Sequence, residues 1–136
     1  MATSLTNKSS FLGALGRHEE ALAAVEEAVE LRRELAALHS DAFRPDLATS
    51  LSVRGDILNG LHRPGDAMAS HAESLRTLLP SLQHLPQAFA GLSGRVLRDY
   101  LECAQAAGQE PDMELLEPIL AVLQEIGVIS LDTENK

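Results

Sequence analysis

The chain has 136 residues, 45 % hydrophobic and 23 % charged, which is enough for one domain with a real core and short for two. Its formal net charge of −9 argues against a nucleic-acid backbone or an anionic membrane as main partner, since both need a basic surface. No apolar run approaches the roughly 18 residues of a membrane span, and the opening "MATSLTNKSS" lacks the apolar stretch of a signal peptide.

A single cysteine, Cys103, excludes an internal disulfide and fits a reducing compartment, so a cytoplasmic location is expected. Aromatic residues make up only 3 %, which leaves Leu, Ala, Val and Ile to build the core. That palette favours helices, and the period-two alternation of strands is scarce. The expected class is all-α.

In chain order, Leu5, Leu12 and Leu15 share one face of a first helix that Gly16 ends. From His18 to His39 a longer helix follows, with Ala21, Val25 and Ala28 as its stripe, widened by Leu22, Val29 and Leu31 and extended by Leu35 and Leu38. Its acidic residues come early and Arg32 and Arg33 late, the order the helix dipole favours, and these charges are expected to form a solvated face. "DAFRPDL" reads as a connector, with Pro45 in the first turn of the next helix. Leu47, Leu51, Leu58 and Leu61 line that helix, "HRPGD" makes a turn, and Ala67, Met68, His71, Leu75, Leu78 and Leu82 mark a fourth, with Pro80 expected to kink or end it. "PQAFAGL" reads as a second connector, with Phe43 and Phe89 as anchors at the junctions and Ser93 as cap of the fifth helix. Pro111 opens the last helix and Pro118 predicts a bend in it.

"ATSL" occurs at Ala2 and again at Ala48, 46 residues later. The same ungapped shift aligns Leu12 with Leu58, Leu15 with Leu61, Arg17 with Arg63, Ala21 with Ala67 and Glu27 with Glu73. It also aligns "AF" at Ala42 with "AF" at Ala88, and a second shift carries Leu51 onto Leu97 and His62 onto Gly108. Matches spread over a whole unit indicate a repeated fold unit, and the weaker third copy fits a terminal repeat. One domain over 1–136 is expected, with units at about 1–46, 47–92 and 93–130 and a frayed polar tail at 131–136. Each hairpin leaves an apolar face that its neighbour covers. The start inside the repeat suggests a segment of a longer array, or a first hairpin covered by another molecule.

"LGRHEEALAAVEEAV" resembles the tetratricopeptide repeat, supplying Leu15, Gly16, Ala21, Val25 and Ala28 at that family's positions. In the second unit Leu51, Gly55, Leu58, Leu61 and Ala67 take the corresponding places. The period of 46 exceeds the common repeat of about 34 and is similar to the extended arrays of bacterial signalling proteins and kinesin light chains. The resemblance implies an α-solenoid of three stacked antiparallel hairpins, a right-handed superhelix, acting as a non-catalytic scaffold for a peptide or helix of a partner protein. The family's ligand face, lined by the first helix of each hairpin, would here present Thr3, Thr6, Ser10 and Gly13, then Thr49, Ser52, Asp56 and Asn59, then Arg95, Arg98, Glu102 and Gln105. Small hydroxyls and amides there suit hydrogen bonding to an extended backbone, and Arg95 with Arg98 suits a carboxylate. The clamp some members use for a C-terminal carboxylate is incomplete, since Thr6 and Ser10 stand where Lys and Asn are needed. The alternative is a structural role, with an end hairpin pairing with another copy.

No catalytic, cofactor or metal set is expected. His18, His39, His62, His71 and His84 include no i, i+4 pair around a glutamate, and no Cys/His group has zinc spacing. His71 stands where the first unit has Val25 and is expected to be half-buried. "GLSGR" at Gly91 lacks the strand and glycines of a nucleophile elbow and the Lys-Ser/Thr of a phosphate loop. Cys103, among apolar neighbours, reads as a small buried side chain.

Overall fold

In the computed structural model, which describes residues 2–128, six helices follow one another with no strand among the described residues. They are α1 (Ala2–Ala14), α2 (His18–Leu38), α3 (Ser40–Gly60), α4 (Pro64–His84), α5 (Pro86–Ala107) and α6 (Met113–Glu125). Each helix packs on the next, α3 also touches α1 and α5, and α6 also packs on α4. This is an all-α helical repeat. The end of the third unit and the 131–136 tail lie outside the described residues.

The 46-residue period follows from two kinds of turn. Within hairpins the chain reverses at Gly16, His62 and Gly108, which occupy the same repeat position and all have positive φ, 79°, 60° and 67°. At each, two backbone bonds close the helix end. Arg17 N–H donates to Leu12 O at 2.8 Å, Arg63 N–H to Leu58 O at 3.0 Å and Gln109 N–H to Ala104 O at 3.0 Å. The residues before them donate back to Gly13, Asn59 and Gln105, which completes a Schellman end. Between hairpins the junction is a single residue, His39 (φ −140°, ψ 70°) or Leu85 (φ −130°, ψ 71°), again at equivalent positions.

So short a junction corrects the two expected connectors. "DAFRPDL" lies within α3 and "PQAFAGL" within α5, which makes α2, α3 and α4 each 21 residues long. The excess over a short repeat is therefore helix. Pro86 and Pro64 occupy the first turn of α5 and α4, where a missing N–H is harmless. Pro45 instead lies inside α3, and Pro80 and Pro118 inside α4 and α6, both of which run on past them. Ser93 is not a cap but a buried mid-helix residue of α5. Pro111 precedes α6, whose cap is Asp112: its Oδ1 accepts from Glu114 N–H at 3.1 Å and Leu115 N–H at 3.3 Å.

The main core lies between α4, α5 and α6, where Leu75, Leu82, Val96, Tyr100, Ile119 and Leu123 are buried together. Phe89 packs against it, half-buried, and Phe43 is also half-buried, its ring 6.2 Å from that of His39 at the junction. The Tyr100 hydroxyl accepts the Asp112 N–H at 2.8 Å and so ties α5 to the start of α6. Toward the N-terminus the core is smaller, with Leu12, Ala21, Val25 and Ile57 in one cluster and Val29, Leu47 and Leu51 in another.

Beside that smaller core sits a buried polar knot in place of the expected solvated face at Arg32. This residue is only 6 % exposed. Its Nη1 donates to Asp46 O at 2.8 Å and Ser50 Oγ at 2.7 Å, and its Nη2 to Thr3 Oγ1 at 3.0 Å. A guanidinium buried there joins α1, α2 and α3 through neutral acceptors. Leu15, Leu35 and Leu38, expected on the apolar stripes, are exposed, and Phe11 beside Leu15 on α1 is 66 % exposed.

Candidate functional site

The candidate face is carried by α1, α3 and α5, the first helices of the three hairpins. Ser10 and Asp56 line one depression of about 250 Å³ together with Gly13, Ala14, His18, Val53 and Ile57. His18, which lines it, and the buried His71 each lie against a glycine of α3. A Cβ at Gly60 would lie 2.6 Å from the His18 ring, and one at Gly55 2.5 Å from that of His71. A side chain at Gly60 would displace His18 from this depression, and one at Gly55 would displace the buried His71.

The other expected face residues divide by burial. Asn59, Arg95, Arg98, Glu102 and Gln105 are exposed on α3 and α5. Thr6, 6 % exposed, and Ser52, 1 % exposed, are turned inward. Thr6 Oγ1 lies 3.0 Å from Ser50 Oγ, a bond between α1 and α3, so neither Thr6 nor Ser52 is available to a ligand. Thr3, though exposed, accepts from Arg32, and half-buried Thr49 donates to Pro45 O at 3.0 Å within its own helix.

Two residues that the sequence did not place on this face lie beside Asp56. His71, on α4, is fully buried rather than half-buried, at 0 % exposure. Its Nε2 points at Asp56 Oδ1, 3.5 Å away, and neither ring nitrogen has a hydrogen-bond partner among the described residues. Asp99, on α5, completes a group in which one ligating atom from each of Asp56, His71 and Asp99 lies within 4.8 Å of the others. The electrostatics follow from this crowding. Burial, then the neighbouring Asp99 charge, raise the Asp56 carboxyl to about 6, against the pull of Arg95. The Asp56 side chain is 60 % exposed, so water screens part of that effect. Burial lowers the His71 imidazole, opposed by Asp99, and favours its neutral form.

The sequence did hold a signal for this group. The 46-residue shift pairs Val25 with His71 and Ser9 with Gly55, so the bulkier ring arrives where the facing helix loses its side chain. Asp99 stands in the place of Val53. Cys103, buried, has its thiol pushed up by burial, then by Asp56, Asp99 and Glu102, which leaves it protonated and unreactive.

On the opposite side, α2 and α4 do not pack on each other, and a charge cluster spans the gap. Arg33 meets Glu73 at 2.6 Å, and Arg54 reaches both Glu26 and Glu73 at 3.4 Å. Arg54 also donates to Ser70 Oγ at 2.9 Å, and Ser70 in turn donates to Leu51 O at 2.7 Å.

Stacked helix hairpins with a mixed polar face across their first helices define a helical-repeat scaffold. Residues 1–44 match the family model of the tetratricopeptide repeat. That match covers α1, α2 and the start of α3, and it supports a tetratricopeptide repeat there and, in general, a protein-interaction role. No curated protein and no solved structure matches the chain. No helix among the described residues is long and apolar enough to cross a membrane.

Proposed function

We propose that the chain is a non-catalytic, cytoplasmic adaptor that holds a peptide or helix of a partner protein along the face of α1, α3 and α5. The observation that carries this reading is the convergence of Ser10 and Asp56, from successive hairpins, on one depression, with Arg95 of the third hairpin acting on the same carboxylate. Hydroxyl, carboxylate and guanidinium groups in a row supply both acceptors and donors to an extended backbone or a polar helix face. Of the residues the family resemblance placed there, Ser10, Asp56, Asn59, Arg95, Arg98, Glu102 and Gln105 are the ligand set. Thr6 and Ser52 belong to the packing between helices.

The test is capture of partners by the purified chain and by two variants, R95E/R98E and S10W, each checked for native helicity. Both substitutions alter exposed positions and are expected to reduce capture of the same partners at least tenfold. Undiminished capture by both variants sinks the assignment of this face.

A second reading, self-assembly through an end hairpin, is favoured by one observation. Phe11, Leu15, Leu35 and Leu38 leave apolar surface exposed on α1, on the turn after it and on α2. Sedimentation at several concentrations decides it: a strict monomer throughout removes this reading, and a dimer lost in F11E/L15E supports it.

A further inference from the structure

We propose that Asp56, His71 and Asp99 form a binding site for a divalent transition-metal ion of the zinc type, set between α3, α4 and α5. Three groups from three helices bring one ligating atom each within 4.8 Å of one another. Two ligands about 2.1 Å from a tetrahedral metal stand roughly 3.4 Å apart. Asp56 Oδ1 and His71 Nε2 already lie 3.5 Å apart, and the two distances to half-buried Asp99, each within 4.8 Å, are the ones a bound ion has to shorten.

The independent observation is the imidazole. A fully buried histidine with no hydrogen-bond partner on either nitrogen is costly. Its Nε2 nevertheless lies 3.5 Å from Asp56 Oδ1, and an Asp99 oxygen is within 4.8 Å of a ring nitrogen. Gly55 gives the ring its room, since a Cβ there would sit 2.5 to 2.8 Å from three ring atoms, and full burial keeps it there. The ring is thus held in the orientation a ligand needs, a burial that rigidifies the donor before any ion arrives.

The donor set selects the ion. One imidazole nitrogen and two carboxylate oxygens suit zinc and its neighbours, whereas calcium and magnesium want six or more oxygens. Asp56 is exposed, which gives an entry path and leaves at least one coordination position to water or to a group from a partner. Arg95 acts electrostatically on both Asp56 and His71, a positive charge that opposes a bound cation. The inference stands apart from the peptide reading, because it needs no partner.

The experiment is titration of tag-free chain with zinc chloride by calorimetry, with calcium and magnesium chloride as comparators and cobalt absorption as a spectroscopic readout. One equivalent of zinc is expected, with calcium and magnesium giving no comparable heat. H71V returns the residue that the preceding repeat uses at the same place, Val25, and so keeps a side chain the fold accepts. H71V, D56N and D99N are each expected to lose that equivalent and the cobalt band while keeping helical circular dichroism. D56N and D99N alter positions that are not fully buried, so they carry the test should H71V fail to fold. Zinc binding of unchanged stoichiometry and affinity in D56N and D99N, or no zinc uptake by the wild-type chain, overturns the proposal.

Discussion

At the scale of the residue, the left-handed turn position gives the sharpest expectation. Two of its three copies are glycine, and nothing lies within 4 Å of where a Cβ would stand at Gly16 or Gly108. The cost of a side chain at this position is therefore backbone strain alone, which for a non-glycine residue amounts to about 1–2 kcal/mol. His62 bears that strain at φ 60°. Replacing it with glycine relieves the strain and gives back part of the gain through the freer unfolded chain. H62G is expected to stabilise the protein by about 0.5–1 kcal/mol in chemical denaturation, and G16A to destabilise it by about 1 kcal/mol. Arg32 makes the opposite case, a buried charge held by neutral acceptors. Its equivalent in the second repeat is Leu78, also buried. R32L exchanges the guanidinium for a residue the fold already uses there, and is expected to change stability by no more than about 1 kcal/mol. R32A removes the same hydrogen bonds as R32L but also leaves a cavity, at about 2–4 kcal/mol. Equal losses from the two variants, measured by urea denaturation, would show that the charge itself is needed.

At the scale of the element, helices and hairpin turns were legible and the junctions were not. Period 3.6, "LGR" and "HRPG" marked where chains reverse, because a positive-φ position leaves a glycine or a turn cluster in the sequence. The junctions at His39 and Leu85 leave no such mark. They are single residues with ordinary negative φ, and the prolines that follow them, Pro45 and Pro86, look alike although one is interior and one opens its helix. The candidate site was half legible for a related reason. Ser10, Asp56 and Arg95 follow from the resemblance to the tetratricopeptide repeat, whereas His71 and Asp99 come together only through the packing of α4 against α3 and α5. Gly55 is the element-level cause. G55A places a methyl group against the His71 ring, an overpacking that costs about 1–3 kcal/mol, offset in part by the better helix propensity of alanine. In an H71V background the clash disappears and only the propensity gain remains. The double variant G55A/H71V is therefore expected to be at least about 1 kcal/mol more stable than the two single changes would give by addition. Simple additivity in thermal or urea denaturation would mean that the ring does not rest on Gly55.

For the whole molecule, the question is what joins one repeat to the next beyond the sequential packing of helices. The apolar core is heaviest at α4, α5 and α6, with Leu22 of α2 packed against it, and on the outer side a cluster of charged side chains links α2 and α4. Glu73 is the centre of that contact, with Arg33 of α2 and Arg54 of α3 both on its carboxylate. Burial pushes the Glu73 carboxyl upward, but the Arg33 hydrogen bond and the charges of Arg33 and Arg54 outweigh it and hold the group below its ordinary 4.5. A carboxylate depressed in the folded state binds its proton less readily there than in the unfolded chain. Its stabilisation is complete above the unfolded value of 4.5 and is lost as pH falls through the lower folded value. Stability should therefore fall with acidification below pH 4.5, and E73Q should make that decline shallower while lowering stability at neutral pH. The comparison separates this group from the other acids, which titrate in both proteins. Because Arg33 and Glu73 lie on α2 and α4, the acid decline should begin with the contact between the first and second repeats. Hydrogen exchange near pH 4 is expected to show the amides of α1 and α2 opening before those of α5, whose helix packs in the larger core. Uniform opening of α1, α2 and α5 at that pH would show that the charge cluster does not couple the repeats.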